Sequence, residues 1–222
     1  MDLAGVKSGF SIKKAHEAQS RLARQVIFED KLPKNIRYVA GVDLAYVKGM
    51  SIGAVAVLAY DSLRLIESRT SFCKTQFPYV PTLLSFREIP PAVACTRKLK
   101  VQPDVFLVDG QGFAHPYRCG FASHFGLVIN RPTIGVAKSR LFGEVKERGN
   151  NDNVAFLKNK DEIVGAVITT KRGCKPVYVS VGHMVSLNTA IKIVKHCTLN
   201  RRIPEPVLKA HETASTEKRK NQ

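Results

Sequence analysis

Three carboxylates in this chain sit where a charge is costly: Asp43 in Gly-Val-Asp-Leu-Ala-Tyr, Glu88 in Ser-Phe-Arg-Glu-Ile-Pro and Asp109 in Val-Phe-Leu-Val-Asp-Gly. Each interrupts, ends or adjoins an apolar stretch, and an acid placed there loses hydration that something must replace. A divalent cation suits oxygen ligands, and carboxylate-held metals facing a phosphodiester are a standard arrangement for cutting nucleic acid. Asp109 is followed by Gly110-Gln111-Gly112, a glycine-bearing loop at the carboxyl end of an apolar run, where open sheets place ligands. Taken singly, each acid has a plainer reading. Asp43 is also a strand-edge aspartate, Asp109-Gly110 a simple turn, and Glu88 a solvated helix acid paired with Arg87 or Lys98.

Other groups have the right chemistry to join them. His115 lies six residues beyond Asp109 and has the reach to order water at a metal or to protonate a leaving group. His183 closes Val-Ser-Val-Gly-His, and that strand end is expected at the same sheet edge; His124, mid-helix, reads as structural. Lys138 ends the run Gly-Val-Ala-Lys, where it would neutralise charge building on a phosphate, or else serve as an ordinary surface lysine. In Pro78-Tyr79-Val80-Pro81 two prolines stiffen a short loop that carries an aromatic ring. Such a ring can enter a base stack, and an enzyme that senses one altered base must open that stack. A tyrosine packed on the core edge is the plainer alternative. No phosphate-cradling glycine loop or nucleophile elbow is present, and no cysteine has a neighbouring base that would argue for thiol catalysis.

The elements that must position these residues follow from periodicity. Residues 10–28 carry Ala15, Ala18, Leu22, Ala23 and Val26 at helical spacing. Residues 37–47, 51–60 and 63–72 read as strands joined at hairpin length, which makes an antiparallel meander. Residues 82–99 read as helix, broken at Pro90-Pro91 into two. The wholly apolar residues 105–108 read as a central strand. Residues 118–128 and 186–197 read as helices, and 133–138, 162–170 and 176–183 as strands. Residues 148–153 read as a turn, and the polar stretch after Pro206 as a flexible basic tail following a single domain of residues 1–205. The sum is an α/β fold with a mixed sheet covered by helices. If the 105–108 strand returns beside the first strand, Asp43 and Asp109 stand on neighbouring strands about 4.8 Å apart, within reach of one metal pair.

Composition narrows the partners. A formal net charge of +17 over 222 residues favours a polyanion, nucleic acid before an acidic membrane surface; a basic surface serving solubility alone is the alternative. The longest apolar run, residues 51–60, is too short to span a bilayer, and no apolar leader with a cleavage site opens the chain. Five cysteines, odd in number, scattered and without Cys-x-x-Cys, suit reduced thiols and a cytoplasmic location. No obligate protein partner is evident.

Taken in order, Gly41-Val42-Asp43, Pro78-Tyr79-Val80-Pro81, Phe86-Arg87-Glu88-Ile89-Pro90-Pro91, Val108-Asp109-Gly110, Ala114-His115-Pro116, Gly135-Val136-Ala137-Lys138-Ser139-Arg140-Leu141 and Val179-Ser180-Val181-Gly182-His183 resemble the endonuclease V family, across about residues 37–194. The resemblance implies a ribonuclease H-like fold and magnesium-dependent hydrolysis, with manganese able to substitute. It implies cleavage of the second phosphodiester bond 3′ to inosine, leaving 3′-hydroxyl and 5′-phosphate ends without removing the base. The setting it implies is repair of deaminated adenine in DNA, with RNA as a further substrate. It carries over Asp43, Glu88 and Asp109 as metal-binding acids. Tyr79, framed by Pro78 and Pro81, matches the strand-separating wedge. His115, Lys138 and His183 match further active-site positions, while Thr82, Gly110, Gln111 and Gly112 fall around the pocket for the flipped base. Thr82 stands where the family usually has glycine after the wedge. The alternative from another class is a basic nucleic-acid-binding protein without catalysis, its acids structural.

Overall fold

The computed structural model describes residues 11–148 and 153–222. Strands β1 (Tyr38–Val47), β2 (Met50–Ala59) and β3 (Leu65–Lys74) form the antiparallel meander that their hairpin spacing predicts. The first hairpin turns on Lys48 and Gly49, both with positive φ, 44° and 76°, the geometry that matches a two-residue connection to strand twist. Strand β4 (Val105–Val108) is buried throughout and lies between β1 and β5 (Thr133–Ala137), parallel to both. Beyond β5 the sheet continues antiparallel through β9 (Val177–His183), β8 (Glu162–Ile168), β7 (Val154–Asn159) and β6 (Glu144–Arg148). The order across nine strands is β3-β2-β1-β4-β5-β9-β8-β7-β6.

Alternate residues of the central strands face opposite layers, as a period of two requires. Ala40, Val42, Phe106 and Val108 pack with helices α2 (Leu84–Thr96) and α3 (Phe121–Ile129). Val39, Val105, Leu107 and Ile134 pack on the other face with α4 (Leu187–His196) and α5 (Glu205–Lys220). Helix α1 (Ile12–Ala23) is opened by the Ser11 hydroxyl, which accepts from Lys14 N–H, and it lies against α3.

Three expectations change. Helix α2 runs unbroken through Pro90 and Pro91. The Pro91 carbonyl accepts from Ser71 Oγ at 2.6 Å, and the backbone comes so close to β2 that a Cβ on Gly53 would lie 2.2 Å from Pro91 O. Tertiary packing therefore overrides the helix-breaking tendency of the two prolines. Two further strands, β6 and β7, extend the sheet, with β6 at its edge. The turn over residues 148–153 falls mostly on 149–152, outside the described residues.

The third change matters most. The stretch after Pro206 is not a flexible tail: residues 205–220 form α5, docked on β1 and β2. Val207, Ala210 and Ala214 make a narrow buried stripe at helical spacing, which the surrounding charge conceals in the sequence. Gly41 lets the helix approach, since a Cβ there would sit 1.8 Å from Pro206 O. Glu205 in the first turn and Lys218, Arg219 and Lys220 in the last complement the helix dipole. Among the described helices none is long and apolar enough to cross a membrane.

Candidate active site

The β1–β4 pairing sets the geometry. Val42 stands opposite Val108, and Asp109 N–H donates to Val42 O at 2.9 Å, so Asp43 and Asp109 emerge side by side at one end of two parallel strands. Asp43 is buried and accepts from Leu44 N–H at 2.7 Å. Its other oxygen meets His211 Nδ1 of α5 at 2.7 Å. Ligand atoms of Asp43, Asp109 and His211 all lie within 4.8 Å of one another. Asp109 also pairs with Lys138, which follows β5 in the neighbouring parallel strand.

Glu88 reaches the same place from α2. Its carboxyl pKa is pushed up to about 8, first by burial and then by the charges of Asp109 and Asp43, with Arg87 opposing. Asp109 is likewise raised, by burial and then by Asp43, with Lys138 opposing. Acids gathered this closely repel one another, and the donor set of carboxylates plus one imidazole fits a divalent cation. The sign of the linkage is testable. A Glu with a raised folded pKa holds its proton longer folded than unfolded, so stability falls as pH rises from about 4.5 towards about 8. In chelator, the melting temperature of the parent is expected to drop across that window. Glu88→Gln is expected to flatten that drop, and added magnesium to reverse it in the parent; an equal slope in both proteins would remove Glu88 from the acidic cluster.

A cavity of about 430 Å³ opens beside these acids. Glu88, Asp109 and Lys138 line it together with Gln19, Thr82 and His115. Tyr79 and Pro81 line it as well, and Tyr79 is 70% exposed, so it is not packed on the core edge. Gly110 and Gln111 contribute to the lining, whereas Gly112 is buried, its N–H spent on Ser180 Oγ at 2.9 Å. Pro78 lies outside the lining.

Thr82 has φ +71°, a left-handed conformation that strains a β-branched residue. Two side chains of α1 hold it there. His16 Nε2 lies 2.9 Å from Thr82 Oγ1, and Gln19 Nε2 donates to Thr82 O at 2.9 Å and to Cys119 O at 2.6 Å. Those two carbonyls fix the amide orientation of Gln19, and its buried Oε1 has no partner. Gln111 repeats the pattern: Nε2 donates to Ser139 O at 2.9 Å and the buried Oε1 is unpartnered.

His115 and His183 differ from expectation. His115 lines the cavity, but burial pushes its pKa down to about 4 and its Nδ1 accepts from Tyr117 N–H at 3.1 Å. It is therefore a neutral imidazole with its proton on Nε2, a hydrogen-bond donor and not an acid. His183 is at the wrong end of the sheet. Because β9 runs antiparallel to β5, its last residue pairs with Thr133, where β5 begins, while Lys138 follows where β5 ends. The ring of His183 accepts from Ile27 N–H at 3.2 Å and is buried there. His211 occupies the position expected of His183, and the only local signal for it was the Val207–Ala210–Ala214 stripe beside it. His124 is structural, bonded to Ser85 Oγ at 3.1 Å.

Known proteins resemble this chain over nearly its whole length. An endonuclease V of Thermofilum pendens is 43% identical over 213 residues, 96% of this chain and 91% of its own. The crystal structure of endonuclease V from Streptomyces avermitilis aligns with a TM-score of 0.88 at 34% identity, covering 97% of each chain. That of Ciona intestinalis endonuclease V (D234N), in complex with a 23mer DNA containing an inosine followed by a ribo-adenosine, aligns at 0.83 and 33% identity over 95% of this chain and 98% of that one. The sequence model of the endonuclease V family matches residues 20–212, which take in every acid of the cluster and His211, and the chain belongs to that family.

Proposed function

We propose that this chain is a magnesium-dependent endonuclease acting on inosine-containing nucleic acid, cutting the second phosphodiester bond 3′ to inosine to leave 3′-hydroxyl and 5′-phosphate ends. The observation that carries this reading is the convergence of Asp43, Glu88, Asp109 and His211 at the edge of a cavity of about 430 Å³, large enough for a base. The Ciona complexes, whose DNA contains an inosine, support the substrate class. DNA is the primary substrate and RNA a further one, in the repair of deaminated adenine; five free cysteines suit a cytoplasmic setting.

Asp43, Glu88 and Asp109 would hold the metal, with His211 orienting Asp43. Magnesium, or manganese in its place, supplies Lewis acidity towards the phosphodiester and a lowered pKa for attacking water. Lys138 leaves Asp109 for the phosphate as negative charge develops there. His115 bonds the Thr82 backbone and so holds that wall of the cavity in shape. Gln19 and Gln111 brace the lining of the base cavity, their amide nitrogens bonded to Cys119 O and Ser139 O. Thr82 and Gly110 shape that cavity, and Tyr79 fills the gap left by the extruded base. A binding protein without catalysis has no use for three mutually repelling acids held together.

The deciding experiment is cleavage of matched DNA and RNA strands, each with one inosine, with and without magnesium. The expected product is a single cut one nucleotide beyond the bond nearest inosine, only with metal; cleavage indifferent to inosine or to metal would overturn the reading. The wedge has its own expected result. Tyr79→Ala loses about one stacking contact, roughly 1–3 kcal/mol, and therefore about 5- to 150-fold of rate on inosine-containing duplex, with less loss on single strands. Initial rates on both substrates measure this, and equal loss on the two would leave Tyr79 as packing.

A further inference from the structure

The outward face of α1 carries a second recess, larger than the base cavity at about 710 Å³ and wide open. Lys13, His16, Arg21, Arg24 and Tyr117 line it, and Glu17 is the one acid among the lining residues. Lys13, Arg21 and Arg24 are exposed and, among the described residues, none has an ion-pair partner. Three unpaired cations on one face of a helix therefore project into one groove. Its floor is aromatic: the rings of His16 and Tyr117 stack with centroids 4.0 Å apart and planes inclined by 12°. A cationic groove tracking a backbone, with a flat ring on which a base can lie, is the chemistry of single-stranded nucleic acid binding.

The groove and the base cavity share a wall. His16 reaches through to Thr82 Oγ1, Gln19 on the buried face of the same helix lines the base cavity, and Tyr117 N–H donates to His115. We propose that this groove binds the unpaired strand on the 5′ side of the recognised nucleotide, phosphates on Lys13, Arg21 and Arg24 and a base on the His16–Tyr117 pair. The polarity rests on the reaction proposed above. Cleavage 3′ to the base sends that arm of the strand over Glu88 and Asp109, so the arm that leaves past Thr82 and α1 is the 5′ one. Helix α1 thus works on both faces, holding the wedge loop with Gln19 and His16 and holding the strand with its cations.

The test uses the full chain with Lys13→Gln, Arg21→Gln and Arg24→Gln combined, against a control with Lys192→Gln and Lys195→Gln on α4, across the sheet. Fluorescence anisotropy without metal measures binding of two labelled single-stranded oligodeoxynucleotides, each with one inosine. One has a long 5′ arm and a single 3′ nucleotide, the other the reverse. Three lost phosphate contacts lower the slope of log affinity against log salt by about 2, so between 50 and 200 mM salt the parent loses about twentyfold more affinity than the variant. That difference is expected for the 5′-armed strand alone. Equal loss on both strands would overturn the 5′ assignment, and loss no greater than in the α4 control would overturn the groove. Magnesium-dependent cleavage by the parent is scored separately: its absence would defeat the proposed reaction, while the anisotropy would still decide whether the groove binds a strand. An Arg21→Lys, Arg24→Lys variant that keeps the parent slope separates charge from fold.

Discussion

Asp43→Asn and Asp109→Asn are each expected to lower inosine-directed cleavage about a thousandfold or more while leaving binding within a few-fold of the parent. Asparagine keeps the shape of aspartate and removes its charge, so the effect isolates electrostatics from packing. Asp43 and Asp109 extend from adjacent parallel strands, with ligand atoms close enough to share one cation. Affinity, by contrast, comes mainly from a surface with 35 lysines and arginines against 18 acids, and that balance is hardly altered by one charge. Loss of an acid facing a phosphate can even tighten binding slightly. Single-turnover rates and anisotropy on one inosine-containing strand measure both quantities. Substantial magnesium-dependent cutting by either variant would remove that aspartate from the metal site.

The second large effect is expected at α5. His211→Ala should cost about ten- to a hundredfold in activity at low magnesium, with partial recovery at high magnesium, because the ring orients Asp43 and adds a donor beside it. Removing the helix altogether is a different experiment. A chain stopped at Pro204 loses Val207, Ala210 and Ala214 from the layer over β1 and β2 and uncovers the backbone around Gly41. That chain is expected to melt far lower or to aggregate, as apolar surface is returned to water. Calorimetry of the truncated chain and a magnesium titration of His211→Ala separate the two roles. An active, stable chain without residues 205–222 would return this segment to the status of a dispensable tail.

Those two results turn on features of unequal legibility. The pairing of Asp43 with Asp109 is readable from local pattern. A short-turned meander followed by a four-residue, wholly apolar strand leaves β4 few places except beside β1, and the alternation of buried residues then sets both aspartates at one edge. The exposed, proline-framed Tyr79 is equally a local matter. What pattern does not carry is strand direction and long-range docking. Lys138 just after β5 and His183 at the end of β9 have similar sequence settings, yet antiparallel pairing sends them to opposite edges. His211 lies in a segment whose three buried residues are outnumbered by charges, and it becomes a site residue only when α5 docks past Gly41. Glu88 is ambiguous in its helix, and burial beside two aspartates is what raises its pKa. Thr82 is held in its strained turn by partners 63 and 66 residues away in the chain. Short-range order follows from periodicity and turn chemistry. The composition of the site depends on which surfaces meet, and that is settled by packing free energy summed over the whole sheet.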